Sequence, residues 1–273
     1  MDILSKIVKH KEKEVAERKG LYPVKLLEQS IYFETPSVSL RQYIKRADKS
    51  GIIAEIKRRS PSKGDINPYV SVERTSIGYM QAGASALSVL TDNTFFGGSS
   101  EDLTTARKFN FCPILRKDFV IDEYQLVEAK SMGADVILLI AAILDPPELK
   151  RLCATAQSLQ MEVLLEVHDE EELKSNLEAL PDVIGVNNRN LKTFEVSTDL
   201  SKQLIQSIPR EFVSVSESGI ETPATAADLR ACGFDGFLIG ELFMRSARPE
   251  HAATEFIKEL DRLENKMKTD ATH

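Results

Sequence analysis

From residue 51 onwards, short apolar runs alternate with longer amphipathic segments. Each run is four to seven residues long and rich in Val, Ile and Leu, as strands of a parallel sheet are when both faces are covered. There are eight such runs, at residues 51–57, 86–90, 112–117, 135–140, 162–167, 182–187, 212–217 and 236–240. The spacing between their starts leaves room for a helix after each strand.

The segments between the runs carry the usual signals of helix ends. Capping residues or prolines such as Ser71, Asp122, Asp169 and Thr222 precede them, and glycine or proline follows. The predicted helices cover residues 71–82, 122–132, 146–159, 170–180 and 223–232. Eight strands alternating with helices predict an α/β fold of the closed (β/α)8 TIM-barrel type. The alternation alone leaves an open doubly wound sheet as the second possibility.

The first 50 residues differ from this repeat. Residues 2–19 have apolar positions on one helical face and charges elsewhere, with Asp2 as the expected N-cap and Gly20 as the expected stop. We therefore predict one barrel domain over residues 1–273, in which residues 1–50 form an N-terminal helical extension. A length of 273 residues fits such a barrel, which typically needs ~250.

Composition and charge narrow the class of function. The net charge of −7 is spread along the chain without a broad basic patch, so we do not expect nucleic acid as a partner. The N-terminus lacks a signal-peptide core, and no apolar stretch approaches the ~20 residues that span a bilayer. The cysteines Cys112, Cys153 and Cys232 show no pairing pattern, and the histidines form no HxxxH pair. We expect a cytoplasmic enzyme with reduced thiols and no metal site.

Polar side chains end several of the apolar runs. In a (β/α)8 barrel the chemistry lies at these carboxyl ends, and side chains two residues apart share a side of the strand. Any one of these residues could be a solvated turn residue, and Glu55 with Lys57 could form a structural ion pair. Their recurrence favours one site that contains both acids and bases. The residues expected to meet there are Glu55, Lys57, Lys117, Glu166, Asn187, Arg189 and Glu217.

Three further polar residues near these strand ends receive a structural interpretation. Arg116 and Asp118 flank Lys117 with the opposite parity, so we expect them to face the helix layer or solvent and interpret them as surface residues. His168 follows the fifth run, and we interpret it as a loop residue.

Glycine-containing loops follow the last two runs. Ser218-Gly219 and Gly240-Glu241 are placed where such barrels often bind phosphate through backbone N–H groups. Residues 60–64, which begin with Ser60, are expected to form a mobile loop over the mouth. Phe96 adds an aromatic ring that could stack on a substrate or pack against the rim.

The chain resembles indole-3-glycerol phosphate synthase from residue 3 to about residue 260. Matching motifs occur in all eight units and in the same order. They are IIAEIKRRSPSKG (52–64), LSVLTDNTFFGGS (87–99), PILRKDFVIDEYQ (113–125), GADVILLIAAIL (133–144), LLEVHDEEEL (164–173), IGVNNRNL (184–191), VSESGI (215–220) and GFLIGELFMR (236–245).

This resemblance implies a carboxy-lyase of tryptophan biosynthesis that needs no metal or organic cofactor. The family closes a pyrrole ring in 1-(2-carboxyphenylamino)-1-deoxyribulose 5-phosphate and releases indole-3-glycerol phosphate, CO2 and water. Nothing after residue 270 resembles the isomerase barrel fused to some members, so a monofunctional enzyme is expected, as a monomer or weak homodimer. The resemblance also implies that the N-terminal helix covers the phosphate side of the mouth.

The resemblance also assigns roles. Lys117 would be the general acid, with its pKa lowered by the nearby cations Lys57 and Arg189, and Glu166 the general base. Lys57 could serve as the acid in the dehydration, and the sequence leaves open which lysine acts in which step. Glu55 and Glu217 would orient the lysines, and Asn187 would hold a substrate hydroxyl. Substrate contacts are expected from Arg189, Ser60, Phe96, Phe119, Leu191 and Ser218, and phosphate contacts from Lys57, Gly219, Gly240 and Glu241. The competing hypothesis is an aldolase-type barrel in which Lys117 forms a Schiff base with a sugar phosphate.

Overall fold

The structure, a computed structural model, describes residues 3–191 and 193–270. In this part of the chain, eight parallel strands pair in sequence order, and the first also pairs with the last, which closes a barrel. The predicted (β/α)8 barrel is therefore confirmed, and an open sheet is excluded. The strands are β1 (Ile52–Ile56), β2 (Ala86–Leu90), β3 (Ile114–Lys117), β4 (Val136–Ile140), β5 (Glu162–Val167), β6 (Val183–Asn187), β7 (Val213–Glu217) and β8 (Gly236–Ile239).

Side chains alternate between the inside of the barrel and the helix layer. Leu115, Leu164 and Val215 belong to the inner hydrophobic cluster, whereas Ile114 and Leu165 belong to the larger cluster between strands and helices. The period of two confirms the predicted parity. Residues two positions further along β3, β5 and β7 therefore also point inward, at the mouth.

The helices begin and end close to the predicted positions. The side chains of Ser71, Asp122, Asp169 and Thr222 each accept a backbone N–H at a helix start. After the N-terminal helices, the others are α4 (Val72–Gln81), α5 (Asn93–Phe96), α6 (Ser100–Phe109), α7 (Glu123–Met132), α8 (Pro146–Ser158), α9 (Glu170–Asn176), α10 (Asp199–Leu204), α11 (Pro223–Cys232), α12 (Glu241–Met244) and α13 (Pro249–Asp270). Short 3-10 turns lie at Ala141–Ile143, Leu177–Ala179 and Ile205–Ser207.

Three helices precede β1. Helix α1 (Ile3–Leu21) runs through Gly20, so the predicted stop there was wrong by one residue, and the predicted cap at Asp2 lies outside the described residues. Helix α2 (Val24–Leu27) is a single turn, and α3 (Leu40–Ile44) places two apolar side chains in the inner cluster. Because Ser39 at the start of α3 bonds Glu162, the first residue of β5, α3 closes the amino end of the barrel.

The loop after β1 is partly ordered by hydrogen bonds. Arg59–Ser60 and Gly64–Asp65 form a small antiparallel hairpin within the segment that was predicted to be a mobile loop over the mouth. None of the helices in the described ranges is long and apolar enough to cross a membrane.

Candidate active site

The structure brings the sequence-predicted site residues together at the carboxyl ends of the strands. A central cavity there is lined by Glu55, Lys57, Ser60, Phe96, Lys117, Phe119, Glu166, Asn187, Arg189, Leu191, Glu217, Ser218 and Glu241. The two remaining candidates, Gly219 and Gly240, line an adjoining cavity that shares Lys57, Arg189, Ser218 and Glu241 with the first.

Lys117 lies between two carboxylates. Its ammonium donates hydrogen bonds of 2.8 Å to Glu166 Oε2 and of 2.8 Å to Glu217 Oε2. Asn187 donates from Nδ2 to the other oxygen of Glu166, at 3.1 Å. Gly185 on β6 makes room for this arrangement, because a Cβ there would collide with the carboxylate of Glu217.

The electrostatic balance around Lys117 differs from the prediction. Burial alone would lower its pKa, but Glu166, Glu217 and Glu55 outweigh burial and raise the pKa of Lys117 above its usual range. The expected lowering by Lys57 and Arg189 was wrong, since the carboxylates lie closer. Lys117 is thus a firmly protonated ammonium, which can donate a proton but has no free lone pair.

The two carboxylates that bind Lys117 differ from each other. Burial opposes ionisation of Glu166, but Lys117 and His168 hold the pKa of its carboxyl below the usual value. Burial, with Glu166 and Glu55 nearby, raises the pKa of Glu217 to about 7 despite the bond from Lys117. A pair with separated pKa values can divide the roles of base and orienting group.

Lys57 forms a second acid–base pair with Glu55. Their side chains meet at 2.8 Å, so the predicted pairing is confirmed. β8 comes very close at this point, since a Cβ on Gly240 would lie 2.9 Å from Cβ and 3.0 Å from Cδ of Glu55. Packing against Glu55 therefore favours glycine at position 240, whether or not this loop binds phosphate.

The adjoining cavity is formed by the loops after β7 and β8. Ser218 and Gly219 have left-handed backbone conformations, with φ of 64° and 74°. Such a conformation is uncommon for serine and is concentrated at functional sites. Arg189 reaches across to Glu241 at 3.4 Å, and Glu241 also pairs with Arg245. Two arginines therefore lie beside these loops, and both are paired with Glu241.

The opposite side of the central cavity is apolar. The rings of Phe96 and Phe119 lie with centroids 5.9 Å apart, and Ile3, Leu4 and Ile7 of α1 complete this wall. Within the described residues, α1 lines the aromatic side and contributes nothing to the cavity around residues 218–221 and 239–242. The expectation that this helix covers the phosphate side stays a prediction, because the position of the phosphate is itself a prediction.

Solved structures with a similar fold support the barrel. Thiamine phosphate pyrophosphorylase from Pyrococcus furiosus superposes with a TM-score of 0.61 at 16% identity, covering 82% of this chain and 98% of that one. A structure described as native KDPGal gives a TM-score of 0.57 at 14% identity, covering 79% and 94%. At these identities the likeness concerns the fold alone.

Sequence comparison is far more specific. The model of the family described as indole-3-glycerol phosphate synthase matches residues 4–259. The chain belongs to the indole-3-glycerol phosphate synthase family. The synthase of Bacteroides thetaiotaomicron is 47% identical over 257 residues, covering 94% of this chain and 98% of that protein. The synthase of Polaromonas naphthalenivorans is 44% identical over 261 residues, covering 94% and 99%.

Two residues of this synthase-family chain were misplaced by the sequence analysis. Arg116 and Asp118 are each only 2% exposed and are not surface residues. Asp118 binds Arg116 at 3.1 Å, and Arg116 forms an ion pair of 2.7 Å with Glu128 on α7. Arg116 faces the helix layer as predicted, where α7 encloses it. Asp118 does not, because it lies at the edge of the central cavity and pairs with Lys11 of α1.

His168 lies in the bend between β5 and α9, so its interpretation as a loop residue is confirmed, but it also contacts a site residue. Its Nε2 lies 3.3 Å from Glu166 Oε1, and its Nδ1 lies 3.1 Å from Glu172 Oε2. Burial opposes protonation, but the two carboxylates outweigh it and raise the pKa of His168 to about 10. The sequence contained a signal for this contact, because His168 stands two residues after Glu166 and side chains at that spacing share a side of the strand.

Proposed function

We propose that the chain converts 1-(2-carboxyphenylamino)-1-deoxyribulose 5-phosphate into indole-3-glycerol phosphate, CO2 and water, as a carboxy-lyase of tryptophan biosynthesis. The family match over residues 4–259 supports this reaction. The observation that carries the proposal is the ammonium of Lys117, which lies 2.8 Å from both Glu166 and Glu217 at the barrel mouth.

Ring closure needs a general acid, and Lys117 takes this role. The aromatic carbon that bears the carboxylate attacks the ketone carbon, and the ketone oxygen takes a proton from Lys117 to become a hydroxyl. The bond to the carboxylate then breaks, CO2 leaves, and its electron pair restores the aromatic ring. The raised pKa of Lys117 keeps this proton in place at neutral pH but also makes the ammonium a weak acid. The role therefore rests on the position of Lys117 at the barrel mouth.

Dehydration needs a base and a second acid. Glu166 removes a proton from the methylene carbon beside the nitrogen, and the hydroxyl leaves as water with a proton from Lys57. The lowered pKa keeps the carboxylate of Glu166 ionised but makes it a weak base, so its role rests on its position in the cavity beside Lys117. Two protons are supplied and one is removed, so each turnover of an ionised substrate takes up one proton.

The other side chains hold the substrate in a reactive pose. Asn187 and Arg189 bind hydroxyl and carboxylate groups, while Glu55 and Glu217 orient the two lysines. The aromatic ring lies against the apolar wall, and the phosphate lies beside the loops after β7 and β8. The wall comprises Ile3, Leu4, Ile7, Phe96, Phe119 and Leu191, with Ser60 at its edge. The proposed phosphate contacts are Lys57, Ser218, Gly219, Gly240 and Glu241, which line the adjoining cavity.

The proposal also covers the setting of the enzyme. The chemistry uses acids and bases of the chain without a metal or organic cofactor. We take residues 1–273 as one domain with an N-terminal extension over residues 1–50, working as a monomer or weak homodimer in the cytoplasm. Only α1 of this extension lines the mouth among the described residues, whereas α3 closes the amino end of the barrel. A small anionic substrate is the expected partner, which fits the local cations of a chain with a net charge of −7.

Turnover tests the proposal. The purified protein is mixed with the carboxyphenylamino-deoxyribulose phosphate, and product is followed by indole fluorescence and mass spectrometry, with CO2 measured in parallel. One indole-3-glycerol phosphate per CO2 is expected. A folded protein that forms neither product would refute the proposal.

The competing Schiff-base mechanism needs an unprotonated lysine. The raised pKa of Lys117 disfavours it, because a protonated amine cannot attack a carbonyl. Borohydride reduction in the presence of substrate separates the two mechanisms. We expect no covalent adduct, whereas an adduct on Lys117 would establish the Schiff base.

A further inference from the structure

Helix α1 carries a lysine in the middle of its buried face. Ile7, Lys11 and Val15 are spaced four residues apart, so they lie on one face of the helix, and Lys11 is 0% exposed. A lysine is almost never fully buried unless it is paired. This position therefore requires an explanation beyond packing.

The partners of Lys11 lie at the ends of two barrel strands. Its ammonium forms ion pairs of 3.0 Å with Asp92 Oδ2, after β2, and of 3.0 Å with Asp118 Oδ1, after β3. Glu14 on the same helix accepts a third contact, at 2.9 Å. Asp92 and Asp118 are themselves buried. The charges of Lys11, Asp92 and Asp118 therefore each need the others as partners to offset the cost of leaving water.

Both carboxylates are fixed by further bonds. Oδ1 of Asp92 accepts the backbone N–H of Phe95 at 2.7 Å and caps α5. Oδ2 of Asp118 accepts from the hydroxyl of Thr91 at 2.6 Å. The acceptors for Lys11 therefore have little freedom, and a shift of α1 cannot be followed by the two aspartates.

The ionic network returns to α1 at a second point. Asp118 binds Arg116, Arg116 binds Glu128, and Glu128 binds Arg18 near the end of α1. Arg116 and Asp118 flank Lys117 along the chain. The helix is thus tied to the backbone on both sides of the proposed acid.

The register of α1 matters for the central cavity. Ile3, Leu4 and Ile7, within two turns of Lys11, form part of the apolar wall. Apolar side chains alone tolerate sliding, and a shift by one turn would move the wall by ~5.4 Å. A buried charge has no alternative partner at a shifted position, and setting a register is the best-attested role of such groups.

We propose that Lys11 is a positioning residue that fixes the register of α1 on the ends of β2 and β3. It acts through Ile3, Leu4 and Ile7, which it holds against the substrate side of the cavity. The consequence for turnover rests on the proposed function, whereas the consequence for α1 itself does not.

A balanced double variant tests the proposal. Lys11→Met alone would leave two buried carboxylates short of a cation, so it is combined with Asp92→Asn. The asparagine oxygen can still cap α5, and Asp118 keeps Arg116. Lys13→Met, on an exposed position of the same helix, is the matched control.

We expect the double variant to fold and its KM to rise roughly tenfold, because a partly lost apolar contact is worth about that factor. Its kcat should fall by less than about threefold, since the reacting groups are unchanged. Backbone amides of residues 3–21 should exchange with deuterium about tenfold faster than in wild type. Lys13→Met should match wild type in all three quantities.

The proposal would be overturned if the double variant exchanged its α1 amides at the wild-type rate and had a KM within about twofold of wild type. If wild-type protein shows no turnover, the proposed function fails, and hydrogen exchange alone decides the role of Lys11. If the double variant does not fold, Asp92→Asn alone replaces it. That variant should exchange α1 amides about threefold faster, and unchanged exchange would again contradict the proposal.

Discussion

Lys117 owes its chemistry to its two neighbours. With Glu166 and Glu217 each 2.8 Å away, the ammonium is held in place and kept protonated. The same contacts make Glu166 an ionised base. In the proposed mechanism, Lys117 is the acid for ring closure and Glu166 is the base for dehydration.

Glu166→Gln should separate the two halves of the reaction. The base acts only after CO2 has left, so the variant should release CO2 in a first turnover while indole formation falls by about 10²- to 10⁴-fold. Rapid-quench measurement of CO2 against indole fluorescence checks this split. If both products decline together, Glu166 acts earlier than we propose.

His168→Gln should change the pH dependence of stability. The pKa of His168 rises from 6.5 to about 10 on folding. Its contribution is therefore complete below pH ~6.5 and is lost as the pH rises through 10. Between pH 7 and 9.5 the wild-type free energy of unfolding should decline more steeply than that of the variant, in urea titrations. Parallel curves would show that His168 is not the titrating group.

At the scale of elements, the close approach of β1 to the end of β8 leaves no room for a side chain at position 240. Gly240→Ala would place a Cβ 2.9 Å from Cβ of Glu55, so one strand must move. We expect a loss of about 1–3 kcal/mol in the free energy of unfolding, together with a higher KM, because the Glu55–Lys57 pair is displaced. Gly20→Ala on α1, which has open space around it, is the control. Equal stability of the two variants would argue against this constraint.

Strands and helix starts were predictable because their causes are local. Strands buried on both faces appear as apolar runs, and side chains such as those of Ser71 and Asp122 must cap a helix where they stand. Strand parity also placed Lys117 and Glu166 on the inside.

Other features depend on contacts that no local pattern contains. Arg116 and Asp118 look like a polar turn unless the partners Lys11 and Glu128 are known, and those are distant in sequence. The pKa of Lys117 depends on which charges lie nearest, and these distances are absent from the sequence, so the predicted lowering of the pKa was wrong. The position of α1 at the mouth likewise depends on distant contacts, because Lys11 of α1 pairs with Asp92 after β2 and Asp118 after β3.

At the scale of the whole molecule, the barrel collects groups from six strand ends into one mouth. α1 closes the apolar side, and the loops after β7 and β8 form the opposite, cationic side. A substrate with an aromatic ring at one end and a phosphate at the other fits this division. Family membership and site geometry thus support the same reaction.

The most direct measurement is the rate of CO2 release by Lys117→Met, with Lys108→Met on the exposed end of α6 as the control. Ring closure comes before loss of CO2, so we predict that kcat for CO2 release falls by about 10²- to 10⁴-fold in the first variant and is unchanged in the second. Circular dichroism confirms that both variants are folded. A folded Lys117→Met variant that releases CO2 at a near-wild-type rate would contradict the account.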